Sequence, residues 1–356
     1  MARPPSRTPV SRTAAATPAA GNTTRDSVSI SAVAAHAGVS IATVSRVVNG
    51  VSNKASTATV ARVRDAIAAL GYRPTGAGRA LRSGQSRLVA VLASNMANPV
   101  MPAIAAAVEV SLRGAGYVMV LCDTHDRPEL QDEYLLEMRA QYARGLVLLG
   151  AVDSPVLRDF ARAGEPLVFV NRRSPVPGAT ERYVGIDNRA AGAEVANWMA
   201  GRGFDGVGLI HGSLSSSATA ERVSGFRDAL KERAMALPAK RIQSAAGAEH
   251  LQIGYQGMAR LLALARRPGA VFCTSDLIAY GAQRRASEAG LQAGRDIALV
   301  GFDDSPMNPW IAPWLHAVRV PYADYGAAIV KALGAQGSQH IILKHELVIR
   351  PGAVTP

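Results

Sequence analysis

The residues best placed to do chemistry lie in one short stretch, Ser40-Ile41-Ala42-Thr43-Val44-Ser45-Arg46-Val47-Val48-Asn49. Val44, Val47 and Val48 recur at helical spacing and give a short helix one apolar face. Ile41, Ala42, Ser45, Arg46 and Asn49 are left on the other face, with nothing in the local pattern to bury them. Upstream, Ile30, Val33 and Ala34 repeat at the same spacing, Ala37-Gly38-Val39 breaks the run, and Ser40 can cap the second helix. Small residues, hydroxyls and one arginine on an open helix face, just after a companion helix, make the recognition half of a helix-turn-helix. A small helical hairpin that only packs would share the pattern, and the rest of the chain must decide.

A third helix is expected over 57–69, capped by Ser56, striped with Val60, Val63, Ala66, Ile67 and Leu70, and ended by Gly71. The charge follows these elements. Residues 1–87 hold 11 Arg and one Lys against Asp26 and Asp65, a net +10, whereas the remainder of the 356-residue chain carries only +2. A basic front on a near-neutral body is the footprint of a head that binds a polyanion. The first 26 residues, rich in Arg, Ser, Thr, Ala and Pro, read as a disordered basic tail, a composition shared with organellar transit peptides. Tyr72 to Gly84 reads as a linker: Gly76 and Gly78 each cost about 1 kcal/mol of helicity, so this piece should fold only on a partner.

From Leu88 onward strands and helices alternate. Strands are expected at Leu88–Ala93, Tyr117–Cys122, Gly145–Leu149, Leu167–Val170, Val207–Ile210, Arg241–Ser244, Ala270–Cys273 and Ile297–Phe302. Between them lie helices such as Pro128–Tyr142, Ala190–Ala200, Ala218–Arg233 and Asp276–Ala289. This rhythm implies parallel sheets with crossover helices, and the break near 171–187 divides it into two doubly wound lobes. A cleft at the carboxyl ends of their strands would make a small-molecule site.

Several other chemistries find no support. Gly201-Arg202-Gly203-Phe204-Asp205-Gly206 matches G-x-G-x-x-G by letter, but it leads from a helix into a strand, the reverse of a dinucleotide site. The seven histidines show no pair at ligand spacing, and Cys122 and Cys273, both in apolar strand-like runs, stand far apart. No metal site, cofactor or disulfide framework is expected, and the thiols fit a reducing compartment. No nucleophile–base pair is legible, so no enzyme is expected. Residues 88–108 carry no charge, yet Asn95, Asn98, Pro99 and Pro102 divide them into strand, loop and helix start, not a membrane span.

The chain resembles the LacI/GalR family of bacterial transcription regulators over nearly all of 27–352. The resemblance rests on Val39 to Gly50 and Ala69-Leu70-Gly71-Tyr72-Arg73-Pro74 in the head. In the body it rests on Asn98-Pro99, Gly116-Tyr117, Ile186-Asp187-Asn188, Ala220 to Phe226, Ser275-Asp276 and Gly301 to Ser305. It implies base reading by Ile41, Ala42 and Arg46, and phosphate contacts from Ser40, Thr43, Ser45 and Asn49. It implies that Leu81 wedges into the central base step of a palindrome. Gly78 departs from the helix-former usual there, which predicts a hinge more dependent on DNA. In the cleft the resemblance gives Arg222 and Asp303 as the general effector contacts, Asn171, Ser94 and Ser275 as further polar positions, and Val100 and Met101 as an apolar wall. An arginine and a carboxylate can together grip vicinal hydroxyls. By composition alone, Arg222 could equally pair with Glu221 or Asp228 on a helix surface, and Asp303 could be a turn residue. Arg172 and Arg173, beside Asn171, would favour an anionic sugar.

The expected fold is a three-helix helix-turn-helix head plus hinge helix, then an α/β two-lobed periplasmic-binding-protein-like core of two doubly wound parallel sheets. The expected divisions are a tail (1–26), head (27–73), hinge (74–86), first lobe (87–183 and 320–348) and second lobe (184–319 and 349–356). The function implied is an effector-responsive, sequence-specific regulator, more readily a repressor than an activator, of a carbohydrate or related catabolic operon. It would act in the bacterial cytoplasm as a homodimer on a double-stranded palindromic operator. Its effector would be a sugar, sugar acid or sugar phosphate, and no membrane is involved. No leucine heptads follow Pro351-Gly352, so the tetramer-forming tail of some relatives is not expected. The alternative is a cytoplasmic sugar receptor with the same core whose head does not read DNA specifically.

Overall fold

The computed structural model describes residues 28–50, 55–73 and 85–351. The expected tail and, except for Gln85 and Ser86, the hinge with Leu81 and Gly78 lie outside these residues. The chain divides into two compact units, Met1–Gly76 and Ala77–Pro356.

The first unit holds three helices, α1 (Ile30–Ala37), α2 (Ile41–Val48) and α3 (Thr57–Leu70). Each starts on a serine whose hydroxyl accepts a backbone N–H of the first turn: Ser29 from Ala32, Ser40 from Thr43 and Ser56 from Thr59, all at 3.2 Å. Such a cap satisfies one of the donors that a helix start leaves orphaned. Gly38 ends α1 in the left-handed conformation, and the chain bends by 105° into α2. That angle is the one a helix-turn-helix needs. Val33, Ala34, Ala37, Val44, Val63 and Ala66 form the buried centre, with Val47, Val48, Ile67, Leu70 and Tyr72 half-covered around it.

The second unit contains two six-stranded sheets. The first joins β1 (Leu88–Ala93), β2 (Val118–Asp123), β3 (Gly145–Leu149), β4 (Leu167–Val170), β5 (Arg182–Ile186) and β11 (Gln339–Leu343) in the order β11-β5-β4-β3-β1-β2. The second joins β6 (Val207–Ile210), β7 (Ile242–Gln243), β8 (Ala270–Cys273), β9 (Ala298–Asp303), β10 (His316–Arg319) and β12 (Glu346–Val348) in the order β12-β10-β9-β8-β6-β7. All pairings are parallel except β10 with β12. The crossovers are α4 (Val100–Gly114), α5 (Pro128–Ala140) and α6 (Pro155–Ala163) in the first lobe. In the second they are α7 (Asn188–Gly201), α8 (Ser217–Glu232), α9 (His250–Leu262), α10 (Asp276–Glu288) and the one-turn α11 (Asn308–Ile311). Helix α12 (Tyr322–Leu333) returns to pack on α4 and β5.

The eight expected strands form within a residue or so of their anticipated ends, and β1, a loop and α4 occupy the uncharged run 88–108. Four strands carry no apolar run to announce them. β5 opens on Arg182 and contains Gly185, β10 opens on His316, β11 alternates half-buried with exposed residues, and β12 has three residues. Their pairing corrects the expected lobe limits. A boundary after residue 183 would cut β5, which pairs wholly with β4 and β11 of the first sheet. Residues 346–348 belong to the second lobe, because β12 pairs with β10. The chain therefore crosses between lobes after β5, after β10 and after β11. Cys273 is buried as expected, but Cys122 is only half-buried because β2 is an edge strand.

Candidate functional site

On α2 the expected DNA-facing residues share one surface. Ile41 is 51% exposed, Ala42 and Asn49 are exposed, and Val44 beneath them is fully buried. The polar side chains brace one another along the helix. Ser40 Oγ lies 3.0 Å from Thr43 Oγ1, and Asn49 Nδ2 donates to the Ser45 carbonyl at 2.7 Å. Arg46 donates through Nε to the Ala42 carbonyl (3.2 Å) and through Nη2 to Thr43 Oγ1 (3.4 Å). The guanidinium is thus held along the open face between Ala42 and Thr43.

In the core unit the expected effector residues gather at the carboxyl ends of strands, the usual ligand crevice of open α/β sheets. Ser94 follows β1, Asn171 follows β4, Ser275 lies just past β8 and Asp303 ends β9. Arg222 comes from α8, whose axis is drawn close to α7 by two glycines. A Cβ on Gly192 would stand 2.2 Å from the Arg222 carbonyl oxygen, and one on Gly225 would stand 2.0 Å from that of Arg189. Only hydrogen fits at either place. The two helices can therefore touch backbone to backbone, which turns Arg222 inward.

Arg222 is fixed on three sides. Nε donates to Asn188 Oδ1 (2.8 Å), Nη1 donates to the Thr274 carbonyl (2.9 Å), and Cζ sits 3.4 Å from the centre of the Phe302 ring. Nη1 also lies 3.9 Å from Asp303 Oδ1, and Nη2 takes no partner among the described residues. The two side chains are 12% and 8% exposed. Burial pushes the Asp303 carboxyl up to about 7, with the Arg222 charge opposing it. Burial also lowers the Arg222 guanidinium from its ordinary value, but a guanidinium starts so high that it stays charged. The alternative partners on α8 are otherwise engaged: Asp228 pairs with Arg189, and Glu221 reaches Arg173.

The surrounding polar groups were not legible as site residues, although Asn188 and Asp276 stand inside the motifs that carried the resemblance. Tyr322 OH donates to the Asp303 carbonyl at 2.7 Å, and Tyr325 OH donates to Asn171 Oδ1 at 2.8 Å. Asn171 holds a left-handed backbone (φ 64°), as does Asp303 (φ 106°). Such strained positions gather where surroundings over-determine the backbone. Asp276, buried at the start of α10, accepts on Oδ2 from Ser305 N–H (2.7 Å) and Asn308 Nδ2 (2.9 Å), while Oδ1 has no partner. Burial first, and then the Asp303 charge, push Asp276 well above the usual carboxylate range. Ser275 caps α10 by accepting from Ile278 N–H (3.3 Å), and its hydroxyl lies 3.0 Å from His250 Nδ1. Burial holds His250 below the ordinary histidine value.

Val100 and Met101, the expected apolar wall, are 4% and 9% exposed and pack into the core. Arg172 and Arg173 do not offer an unpaired positive charge. Arg172 Nη1 donates to Asp126 Oδ1 at 2.7 Å, while Arg173 is paired with Glu181 (3.5 Å) and Glu221 (4.0 Å) and lies over the Tyr183 ring. Through Glu221, and a 2.9 Å bond from Arg173 N–H to Ser217 Oγ, the first lobe is tied directly to α8. Among the described residues no group of three or more His, Cys, Asp or Glu could hold a metal ion.

Two family descriptions match this arrangement. Residues 29–75 match the bacterial regulatory proteins of the lacI family, and residues 196–355 match a periplasmic binding protein-like domain. The transcriptional repressor PurR of Photorhabdus laumondii is 32% identical over 81% of this chain and 84% of its own. The chain belongs to the LacI family. The transcriptional regulator PtxS of Pseudomonas putida is 30% identical over 94% of this chain and 98% of its own. Among solved structures, the regulator CelR in complex with cellobiose superposes with a TM-score of 0.66 at 28% identity, covering 92% of this chain and all of that one. The lac repressor dimer bound to operator superposes at 0.70 and 24% identity, covering 91% and 98%, which speaks for the fold. This family member is a DNA-binding transcriptional regulator with an effector-binding core, and its relatives are regulators, not enzymes.

Proposed function

We propose that this chain is a homodimeric repressor that holds a palindromic operator in its free state and changes its grip when a sugar-type effector enters the cleft. The observation that carries the reading is the Arg222–Asp303 pair, nearly sealed yet 3.9 Å apart, in one chain with a capped helix-turn-helix. A guanidinium with an unused donor beside a carboxylate too distant for a tight bond is poised to grip a hydroxyl pair between them. Asn171, Ser94 and Ser275 would hold the remaining polar groups, with Val100 and Met101 behind them. In the head, Arg46 can donate two hydrogen bonds to a guanine edge, and Ile41 and Ala42 can meet a thymine methyl. Ser40, Thr43, Ser45 and Asn49 would contact phosphates and so fix the register. Leu81 would wedge into the central base step.

A second copy has surfaces to meet. Met307, Trp310 and Ile311 around α11 are 52%, 82% and 57% exposed, and Val110, Val118 and Leu121 on α4 and β2 are 58%, 50% and 40% exposed. Large apolar groups left bare in this way mark contact surfaces. Twofold symmetry would then place two heads on two half-sites. Closing the cleft would re-space the heads through the chain crossings. The working place is the bacterial cytoplasm, where the operator is.

The test is fluorescence anisotropy of the full chain on fragments of its own promoter region, with and without sugars, combined with light scattering. Binding to a palindrome as a dimer, steeply weakened by salt and altered by a sugar, is the expected result. Binding flat in salt and equal on all sequences would leave a sugar receptor whose head does not read DNA.

A further inference from the structure

We propose that Asp126 and Arg172 form a second diol grip on the opposite wall of the cleft from Arg222 and Asp303, and that Asp126 restricts the effector to a neutral, hydroxyl-rich molecule. The inference rests on the cleft being the effector site. It reverses the expectation from sequence that neighbouring arginines attract an anion.

Four loops at the carboxyl ends of the first sheet build the grip. Ser94 follows β1, Asp126 follows β2, Gly150 follows β3 and Arg172 follows β4. The loop after β2 turns through two left-handed residues, His125 (φ 51°) and Asp126 (φ 54°), and the Asp126 N–H donates to the Ser94 carbonyl. Arg172 Nη1 donates to Asp126 Oδ1 (2.7 Å) and to the Gly150 carbonyl (3.2 Å). Gly150 has to be glycine: its φ is 89°, and a Cβ there would stand 2.7 Å from Ser94 Oγ and 3.6 Å from Arg172 Nε. The absent side chain leaves the pair beside Ser94. His250, on the second lobe with Ser275 at 3.0 Å, lies within the fields of both Asp126 and Arg172.

Each lobe therefore contributes one arginine–aspartate pair, and the third cleft-side arginine, Arg173, is held between Glu181 and Glu221. All three guanidiniums already face a carboxylate. A phosphate or carboxylate ligand would have to compete with Asp126 for its 2.7 Å bond to Arg172, and two carboxylates sharing one guanidinium repel each other. A pair of hydroxyls behaves differently, because it donates to the carboxylate and accepts from the guanidinium at once. Two such pairs, one per lobe, reward a ligand with hydroxyls at both ends and draw the lobes together.

The test uses the full-length protein, calorimetry and thermal melts. The probes are neutral sugars (D-glucose, D-xylose, D-ribose, D-galactose, cellobiose), the matching sugar acids and the matching sugar phosphates. At least one neutral probe should bind and raise the melting temperature, with its acid and phosphate weaker by about ten-fold or more. Asp126→Asn should weaken the neutral probe about ten-fold, as expected when a charged acceptor is lost, and should bring the acid to equal or better affinity. Asp228→Asn, which removes a carboxylate paired with Arg189 away from the cleft, should leave the preference unchanged. The inference is overturned if an anionic probe outbinds its neutral parent on the unmodified protein. It is equally overturned if Asp126→Asn leaves the preference intact, or if no probe binds. Operator binding on the same samples separates these outcomes from failure of the regulator reading, which would appear as lost DNA recognition whatever the ligand preference.

Discussion

Arg222 and Asp303 meet 3.9 Å apart although they come from a helix and a strand end 81 positions distant in sequence, and neither completes the other's hydrogen bonding. The arginine is anchored instead by Asn188, the Thr274 carbonyl and the Phe302 ring, so its position does not depend on the carboxylate. Asp303 is thus a buried acid that a ligand can complete.

The first consequence is a proton linkage. Burial raises Asp303 from 3.8 to about 7, so its contribution to stability is full below about pH 4 and is lost as pH rises through 7. The groups bearing on it are Arg222, Asp276, Tyr280, Tyr322 and Tyr325. A sugar whose hydroxyls donate to the carboxylate favours its ionised form. Sugar binding should therefore tighten between pH 6 and 8 and release protons below pH 7, read by calorimetry in two buffers of different ionisation heat. Asp303→Asn should abolish the proton release, and an unchanged release would place the titrating group elsewhere.

His316 works in the opposite sense. Its Nδ1 accepts the Arg350 N–H at 3.0 Å, its ring packs edge-on against Trp198, and burial with the nearby Arg350 and Arg202 charges holds it at about 4. A histidine lowered by folding contributes stability that is complete above its unfolded value near 6.5 and lost as pH falls toward 4. Melts between pH 7 and 4.5 should show an acid loss on the order of 2 kcal/mol that His316→Asn largely removes. An unchanged acid limb would assign the loss to other groups.

Helix contact between α7 and α8 should be intolerant of a single methyl group. Gly225→Ala places a carbon about 2.0 Å from the Arg189 carbonyl oxygen, and overpacking of this kind costs about 1–3 kcal/mol or more. Because the same contact aims Arg222, sugar affinity should fall along with the melting temperature. Arg227→Ala, on the outer face of the same helix, should change neither.

In the head, Arg46→Ala should cost about 1–3 kcal/mol per half-site and relax preference at one base pair, measured by anisotropy against single-base operator variants. Ser40→Ala should instead weaken binding to all variants alike and lower head stability by about 1 kcal/mol, through loss of the α2 cap. A uniform effect from Arg46→Ala would place Arg46 on phosphate.

Much of this protein is written locally in its chain. The serine caps, Gly38 and the valine spacing specify the three small helices, since caps and i, i+3 and i, i+4 contacts act within one or two turns. Of the eight expected strands, β1, β3, β4, β6, β8 and β9 announce themselves as apolar runs because both faces of a central parallel strand are buried, whereas β2 and β7 stand at sheet edges. Edge and late strands escape that logic. β11 and β12 are half-exposed or very short, and only pairing with β5 and β10 makes them strands.

Local pattern was enough for the head and the alternating core, and the resemblance supplied the candidate cleft residues. Tertiary structure alone decided what those residues face. Arg222 turns inward while Asp228 on the same helix turns out to Arg189. Arg172 meets Asp126 across 46 positions, and Asn171 meets Tyr325 across 154. Charge neutralisation in the cleft is a sum over loops that only closure of the sheets brings together, so no local pattern can encode its sign.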